Sequence, residues 1–498
     1  MAAAKSPEKS RLKLFKILRT FSASQMTSFY KFLNSPFFHN TDEVVRLFRF
    51  YRKQHPEYFI EKVNDEMVAK RLFPLAEHGP KKIKNFRTDL LKLIEKFLII
   101  NELERDPVQS KWLLSQAYHQ QGLPGFFNKQ LLAIEKLIHQ KPKDLHYFQN
   151  KVNLSHTRYF HPDIPKFLQS GHLLKELLEN LDEYYLSAKI KYAYEVRERM
   201  DKLKEVYVIK LLNEAQNQIL TKELMQENPI VRIYRLLLEL QQSPPDQLRF
   251  LAIKNIYFEI LPELSNADGQ AIFKYLINYT IKAIAAGQLR FVDVQFELYK
   301  LGLEKGLCLH NGRLTETTFI NIAILAAHLK YYSWLDNFIA DHKKFLNPEH
   351  RTTLVYSAKA YAYFNKGEFN KTAELIAKIE RPITIMKLTT LSLEVKTFFE
   401  LAITNDSYLE LLNAKIRALN RFVSKENGLS PKKEMTYKNY LKFLKLIINF
   451  HFGIGMDKTE LGQLKKDIEA SSEVVQKPWL MEKINQLFKK REGPKPLP

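Results

Sequence analysis

Apolar residues recur along this chain three and four positions apart, the spacing that gathers them on one face of an α-helix. Leu12, Phe15, Leu18 and Phe21 form such a stripe near the start. Leu174, Leu177, Leu178, Leu181, Tyr184, Tyr185 and Ala188 form a longer one with charged residues between them. The longer stripe predicts one helix from about Gly171 to Met200, with helix continuing to Gln242.

Punctuation between the stripes is helical too. Ser22 followed by Gln25, and Ser407 followed by Glu410, fit the capping box, in which a hydroxyl and an amide or carboxyl satisfy free amides of a first turn. Asn228-Pro229, Asn347-Pro348 and Ser430-Pro431 set a capping residue ahead of proline, whose missing N–H costs nothing at the first helical position. Ser243-Pro244-Pro245-Asp246 must break a helix, and a new one is expected near Asp246. Breaks at Ser35-Pro36, His55-Pro56, Phe73-Pro74 and Gly79-Pro80 divide the first hundred residues into four or five helices. The pattern weakens between 140 and 169, where His, Pro and Asn are frequent, and an irregular connector is expected there. The resulting division is an N-terminal helical domain (1–106), a long-helix region (107–245) and a C-terminal helical array (246–498).

Within that array a repeat emerges. From Thr352 to Pro382, the residues Tyr356, Ala360, Tyr363, Gly367, Phe369, Ala373, Ile376 and Ile379 follow an order of large, small, aromatic, turn glycine, aromatic, small and closing apolar positions. About 35 residues upstream, Ala323, Ala327, Tyr332, Trp334 and Phe338 align with Ala358, Ala362, Gly367, Phe369 and Ala373. Both copies resemble the tetratricopeptide repeat, in which small residues let paired helices approach and aromatics fill the gap to the next pair. Gln270 to Gly306 and Ile383 to Lys425 also read as helix pairs. The resemblance implies an all-α fold, an α-solenoid of tetratricopeptide-like helix pairs with an N-terminal helical block; it implies no activity. As a whole the chain is similar to large helical bacterial proteins, which adds none.

Composition sharpens this picture. Only 15 of 498 residues are glycine, against an average usage of about 7%, and hairpin-rich β folds need glycine at their turns. Hydrophobic residues at 45% suffice for a sizeable core, much of it aromatic. A lone cysteine, Cys308, permits neither an internal disulfide nor a cysteine-rich zinc site, and points to a reducing, cytoplasmic setting. Lys and Arg interrupt every apolar stretch of the first twenty residues, unlike a secretory signal; a basic organellar transit peptide is the alternative reading. Leu446 to Phe452, the most apolar run, is far shorter than the roughly 20 residues of a membrane span.

Net charge is +22, high enough to raise nucleic acid or acidic proteins as partners. Arg46, Arg49 and Lys53 share a helical face, and Lys81, Lys82, Lys84 and Arg87 follow; together they are the candidate polyanion-binding residues, with a solvated face as the plain reading.

Sites with chemistry are weak. Phe452 to Thr459 resembles a phosphate-binding loop, but Asp457 stands where the loop needs glycine and would repel the anion. His139, His146, His156 and His161 cluster without the spacing of two ligands one turn apart or a completing Glu or Cys. Arg49 and His55 resemble the spacing of small helical ribonucleases, histidine acting as acid or base and arginine steadying phosphoryl charge; Phe50 and Pro56 depart from that pattern. No catalytic, metal or cofactor residue is therefore assigned. The expected function is a non-enzymatic protein-interaction scaffold with a protein or peptide in the solenoid groove. Nucleic-acid binding through the basic block stands second, and a helical ribonuclease third.

Overall fold

The computed structural model describes residues 7–38, 41–72, 79–164, 171–203, 206–221, 228–242, 245–379, 386–425, 431–452, 458–471 and 473–492. It is 81% helical. Among the described residues the only strands are β1 (Leu309–His310) and β2 (Arg313–Leu314), paired antiparallel. Asn311 and Gly312 take positive φ, 50° and 73°, at their turn, the geometry that the Asn-Gly dipeptide favours. No described helix is long and apolar enough to cross a membrane. Contacts gather the chain into two compact units, Met1–Ala188 and Lys189–Pro498. The expected breaks at 106 and 245 are helix junctions inside those units.

In the first unit, α1 (Pro7–Thr20), α2 (Ala23–Leu33), α3 (Asp42–Arg52), the single turn α4 (Ile60–Val63), α5 (Asp65–Leu72) and α6 (Pro80–Arg105) share one core. The extra helix beyond the expected four or five is α4. Phe15, Leu18 and Phe21 are buried as their stripe requires, and Phe15 lies between the rings of Tyr51 and Tyr58 at 5.1 and 5.0 Å. Ser22 and Gln25 close the capping box on α2, with bonds of 3.2 and 2.8 Å. Asp106 separates α6 from α7 (Pro107–Gln120) and accepts the Val108 amide at 3.2 Å.

A second core joins α7 to α8 (Pro124–His139) and α9 (Leu145–Phe160) through Phe127, Leu131, Ile134, Phe148 and Leu154. Helix α9 fills most of the stretch expected to be irregular. Asp144 accepts the Tyr147 amide at 2.9 Å and starts it, while the residues that obscure its period, His146, Asn153 and His156, lie on the exposed side.

The long helix is α10 (Gly171–Leu203). It does not run on to Gln242: Val206 to Ile209 are non-helical, a β-branched and aromatic run that loses rotamer freedom in a helix. Helix resumes as α11 (Leu212–Thr221) and α12 (Pro229–Gln242), the latter capped by Asn228 through the Ile230 and Val231 amides at 3.1 and 3.2 Å.

The second unit continues with α13 (Gln247–Ile260), capped by Asp246 as expected, then α14 (Asn266–Ala285), α15 (Phe291–Glu304), α16 (Glu316–His328), α17 (Tyr332–His342), α18 (Arg351–Asn365) and α19 (Phe369–Ala377). After these come α20 (Lys387–Ala402), α21 (Leu409–Lys425), α22 (Pro431–His451), α23 (Lys458–Ala470) and α24 (Lys477–Glu492). Successive members pack as α14 on α15, α16 on α17, α18 on α19 and α20 on α21, and their short links make each pair a helical hairpin. Two starts differ from the sequence reading. Asn347 caps a turn three residues ahead of α18, bonding the Glu349 amide at 3.3 Å, and Asn405 rather than Ser407 caps the 3₁₀ turn Asp406–Tyr408 that leads into α21. Phe73-Pro74, Ser243-Pro244 and Ser430 lie outside the described residues.

Candidate functional site

Three places carry the residues singled out by the sequence: the helix pairs around 316–377, the basic faces of α3 and α6, and the histidines on α8, on α9 and just after it.

The helix pairs share one turn. In α18–α19, Gly367 has φ 80°, and the Glu368 and Gly367 amides return to the Tyr363 and Phe364 carbonyls at 2.9 and 3.0 Å. In α16–α17, Lys330 has φ 61°, and the Tyr331 and Lys330 amides return to Ala326 and Ala327 at 2.9 and 3.1 Å. This is the pair of bonds that satisfies the last carbonyls of a helix ending in a left-handed residue. The structural register is thus 37 residues, with Lys330 matching Gly367 and Tyr332 matching Phe369. The alignment at 35 is two residues out, because it pairs tyrosine with the turn glycine instead of the lysine that holds the same backbone angle. At 37, Ala323 meets Ala360, both fully buried, and Leu335 meets Thr372, both fully buried.

Side chains expected to fill the gaps are less enclosed than their pattern suggests. Ala323, Ala327 and Ala360 are fully buried, but Trp334, Tyr356, Tyr363, Phe369 and Ala373 are half-buried. Trp334 packs edge-on against Phe296 at 4.8 Å, and Phe369 against Phe364 at 5.5 Å. Lys366 and Lys371 sit 5.6 and 5.4 Å from the Tyr363 ring, covering it with ammonium groups.

On the basic faces, Arg46, Arg49, Lys53, Lys81 and Lys82 are exposed and Lys84 is half-exposed. Arg49 is ordered by Tyr30, whose hydroxyl accepts its Nε at 2.7 Å and whose ring lies 5.3 Å from the guanidinium. Arg87 leaves this set. It is buried, and its guanidinium forms two parallel bonds to the Asp65 carboxylate, one of them 2.6 Å long. Its place on the inner face of α6 turns it toward α5 and away from any phosphate. The ribonuclease pairing gains no support from the geometry: Arg49 is held by Tyr30, and His55 Nε2 is buried without a hydrogen-bond partner among the described residues.

The structure sets beside His161 two residues that the sequence did not single out. His119 on α7 lies beside His161 at the end of α9, ring centroids 4.5 Å apart. Asp163 accepts His119 Nδ1 at 2.8 Å, and the Asp163 amide donates to His161 Nδ1 at 3.2 Å. Phe127 stacks on His161 at 4.2 Å. Burial first, and the charge of His119 second, hold His161 below the usual imidazole range, with Asp163 opposing them. His139, His146 and His156 are exposed and stay outside this cluster.

Other polar features have structural explanations. A cavity of about 570 Å³ between α7 and α9 exposes two helix starts, but Asp106 and Asp144 already occupy their amides. Cys308 is buried, which pushes its thiol up to about 12 and leaves it inert. In the second unit Glu400 accepts Lys483 Nζ at 2.6 Å and Trp479 Nε1 at 3.2 Å, tying α24 to α20. Burial raises Glu400 above the usual carboxylate range against the pull of Lys483. Of the loop-like Phe452 to Thr459 segment, 453–457 lie outside the described residues. No protein-family model, curated protein or solved structure matches the chain.

Proposed function

We propose that this chain is a protein-interaction scaffold whose second unit forms an α-solenoid of tetratricopeptide-like helix pairs, with a protein or peptide partner in the groove. One observation carries the reading: helical hairpins follow one another, and in the last three of them the first helix packs on the first helix of the next, α16 on α18 and α18 on α20. Stacking of that kind lines a continuous face with one helix per pair, the surface such arrays use for binding. On α18, a first helix, Tyr356 and Tyr363 are only half-buried, and aromatic side chains are enriched at protein interfaces.

The test uses the full chain as bait in its native extract, with and without nuclease. A partner that survives nuclease at physiological salt, and is lost from a Tyr356→Ala, Tyr363→Ala variant with an unchanged thermal melt, supports the scaffold. A partner held equally by that variant removes the groove from the argument.

A second reading, nucleic-acid binding, rests on the exposure of Arg46, Arg49, Lys53, Lys81 and Lys82. It predicts loss of the bound material on nuclease treatment.

A further inference from the structure

We infer that His119, His161 and Asp163 form a binding site for a divalent transition metal of the zinc class. One ligand atom from each of the three lies within 4.8 Å of the others. Ligands held about 2.0 to 2.2 Å from a zinc ion stand roughly 3.4 Å apart, so three atoms this close need only small side-chain adjustments to share one ion. Two imidazoles with one carboxylate suit zinc, cobalt or iron(II) rather than magnesium or calcium, which prefer oxygen alone.

The frame around the three is already fixed. Leu123 and Gly122 amides close the end of α7 onto the Tyr118 and His119 carbonyls at 2.9 and 3.0 Å, which anchors His119. His161 follows α9 directly, its amide bonded to Thr157 at 3.1 Å, and the Ile164 amide returns to the His161 carbonyl at 3.0 Å. Phe127, itself buried, fixes the plane of the His161 ring by stacking. The loop therefore holds Asp163 toward His119 before any ion arrives, which lowers the ordering cost of binding.

The side chain of His119 is 43% exposed, which leaves solvent access on that side. Three protein ligands with an accessible further position describe a site that exchanges its ion or takes up an outside ligand, as opposed to a closed structural centre. It lies in the first unit, and the proposed groove in the second.

The experiment titrates the metal-free full chain with Co²⁺, reading its d–d absorption, and then displaces it with Zn²⁺. One equivalent is expected in the wild type. His119→Ala, on the exposed edge, and the isosteric Asp163→Asn should each weaken binding more than about tenfold, the scale that even outer-shell partners reach, with helicity unchanged. His146→Ala, outside the cluster, should bind as the wild type does. Absence of stoichiometric binding in the wild type, or equal affinity across all variants, overturns the assignment.

Discussion

Gly302 on α15 lies directly under the Phe273 ring of α14: a Cβ on Gly302 would stand 2.2 Å from Phe273 Cζ and under 3.0 Å from both Cε atoms. Helix propensity alone favours alanine over glycine by up to roughly 1 kcal/mol, less in the last turn of α15 where Gly302 stands. Here sterics reverse the sign, because the buried ring cannot withdraw without opening the core. Gly302→Ala is expected to destabilise the fold by about 1 to 3 kcal/mol in urea denaturation. Adding Phe273→Leu should recover part of the loss of Gly302→Ala, giving a coupling of about 0.5 kcal/mol or more; strict additivity would show that the contact does not govern the packing.

Arg87, buried, and Asp65, part-buried, form the anchor between α6 and α5. Arg87→Met removes the two charged hydrogen bonds to Asp65, whose side chain stays 25% exposed, a loss expected to cost about 1.5 to 3 kcal/mol. The double variant Arg87→Met, Asp65→Leu should restore most of it. Equal stability of Arg87→Met and wild type by thermal denaturation would contradict the anchoring role.

Lys396 gives the second unit a pH signature. Burial, opposed by Glu400 and Glu482, lowers it to about 8, while its Nζ bonds Gln476 Oε1 at 3.1 Å and lies 5.0 Å from the Phe364 ring. In the unfolded chain it titrates near 10.5. Between those values the unfolded state holds more protons, so stability rises with pH across that window; below it both states are charged and the full cost of burying the ammonium is present. Lys396→Met should be more stable than wild type at pH 7 and show a flatter urea midpoint between pH 8 and 10. Parallel profiles for the two proteins would refute the shift.

Helices, their caps and the hairpins were legible because they depend on neighbours in sequence. Ser22 with Gln25, Asn228 with Pro229 and Asp246 all act where their patterns placed them. Failures came where an alternative satisfied the same physics. Lys330 takes a left-handed conformation without being glycine, so the alignment slipped by two. Asn405 reaches the Ser407 amide before Ser407 can act as cap. The Asn311-Gly312 turn was a readable hairpin signal, masked by the helical stretches on either side. His119 is 42 positions from His161, and only the fold of α7 to α9 brings it there; no spacing rule covers a pair set by tertiary packing. Asp163 was nearer, two residues after His161, but a carboxylate on its own carries no signal.

Charge separates the two functional readings. Residues 1–105 hold 21 Lys and Arg against 12 Asp and Glu, a net near +9. One of those cations, Arg87, is spent inside the unit, so six of the seven candidates can face phosphate. Each contact to duplex DNA contributes about 0.9 to the slope of log affinity against log salt. Changing Arg46, Arg49, Lys53, Lys81, Lys82 and Lys84 to Gln should flatten that slope by the number of contacts they make. Arg87→Gln should instead lower stability. The expected outcome for the wild-type full chain is weak, sequence-independent binding at low salt that is lost near about 150 mM, because exposed charges lying farther apart than the Debye length of roughly 8 Å are screened there. Fluorescence anisotropy with labelled RNA and duplex DNA across that range decides it. Submicromolar affinity retained at about 150 mM would exceed what non-specific attraction supplies and would replace the proposed protein scaffold with the nucleic-acid reading.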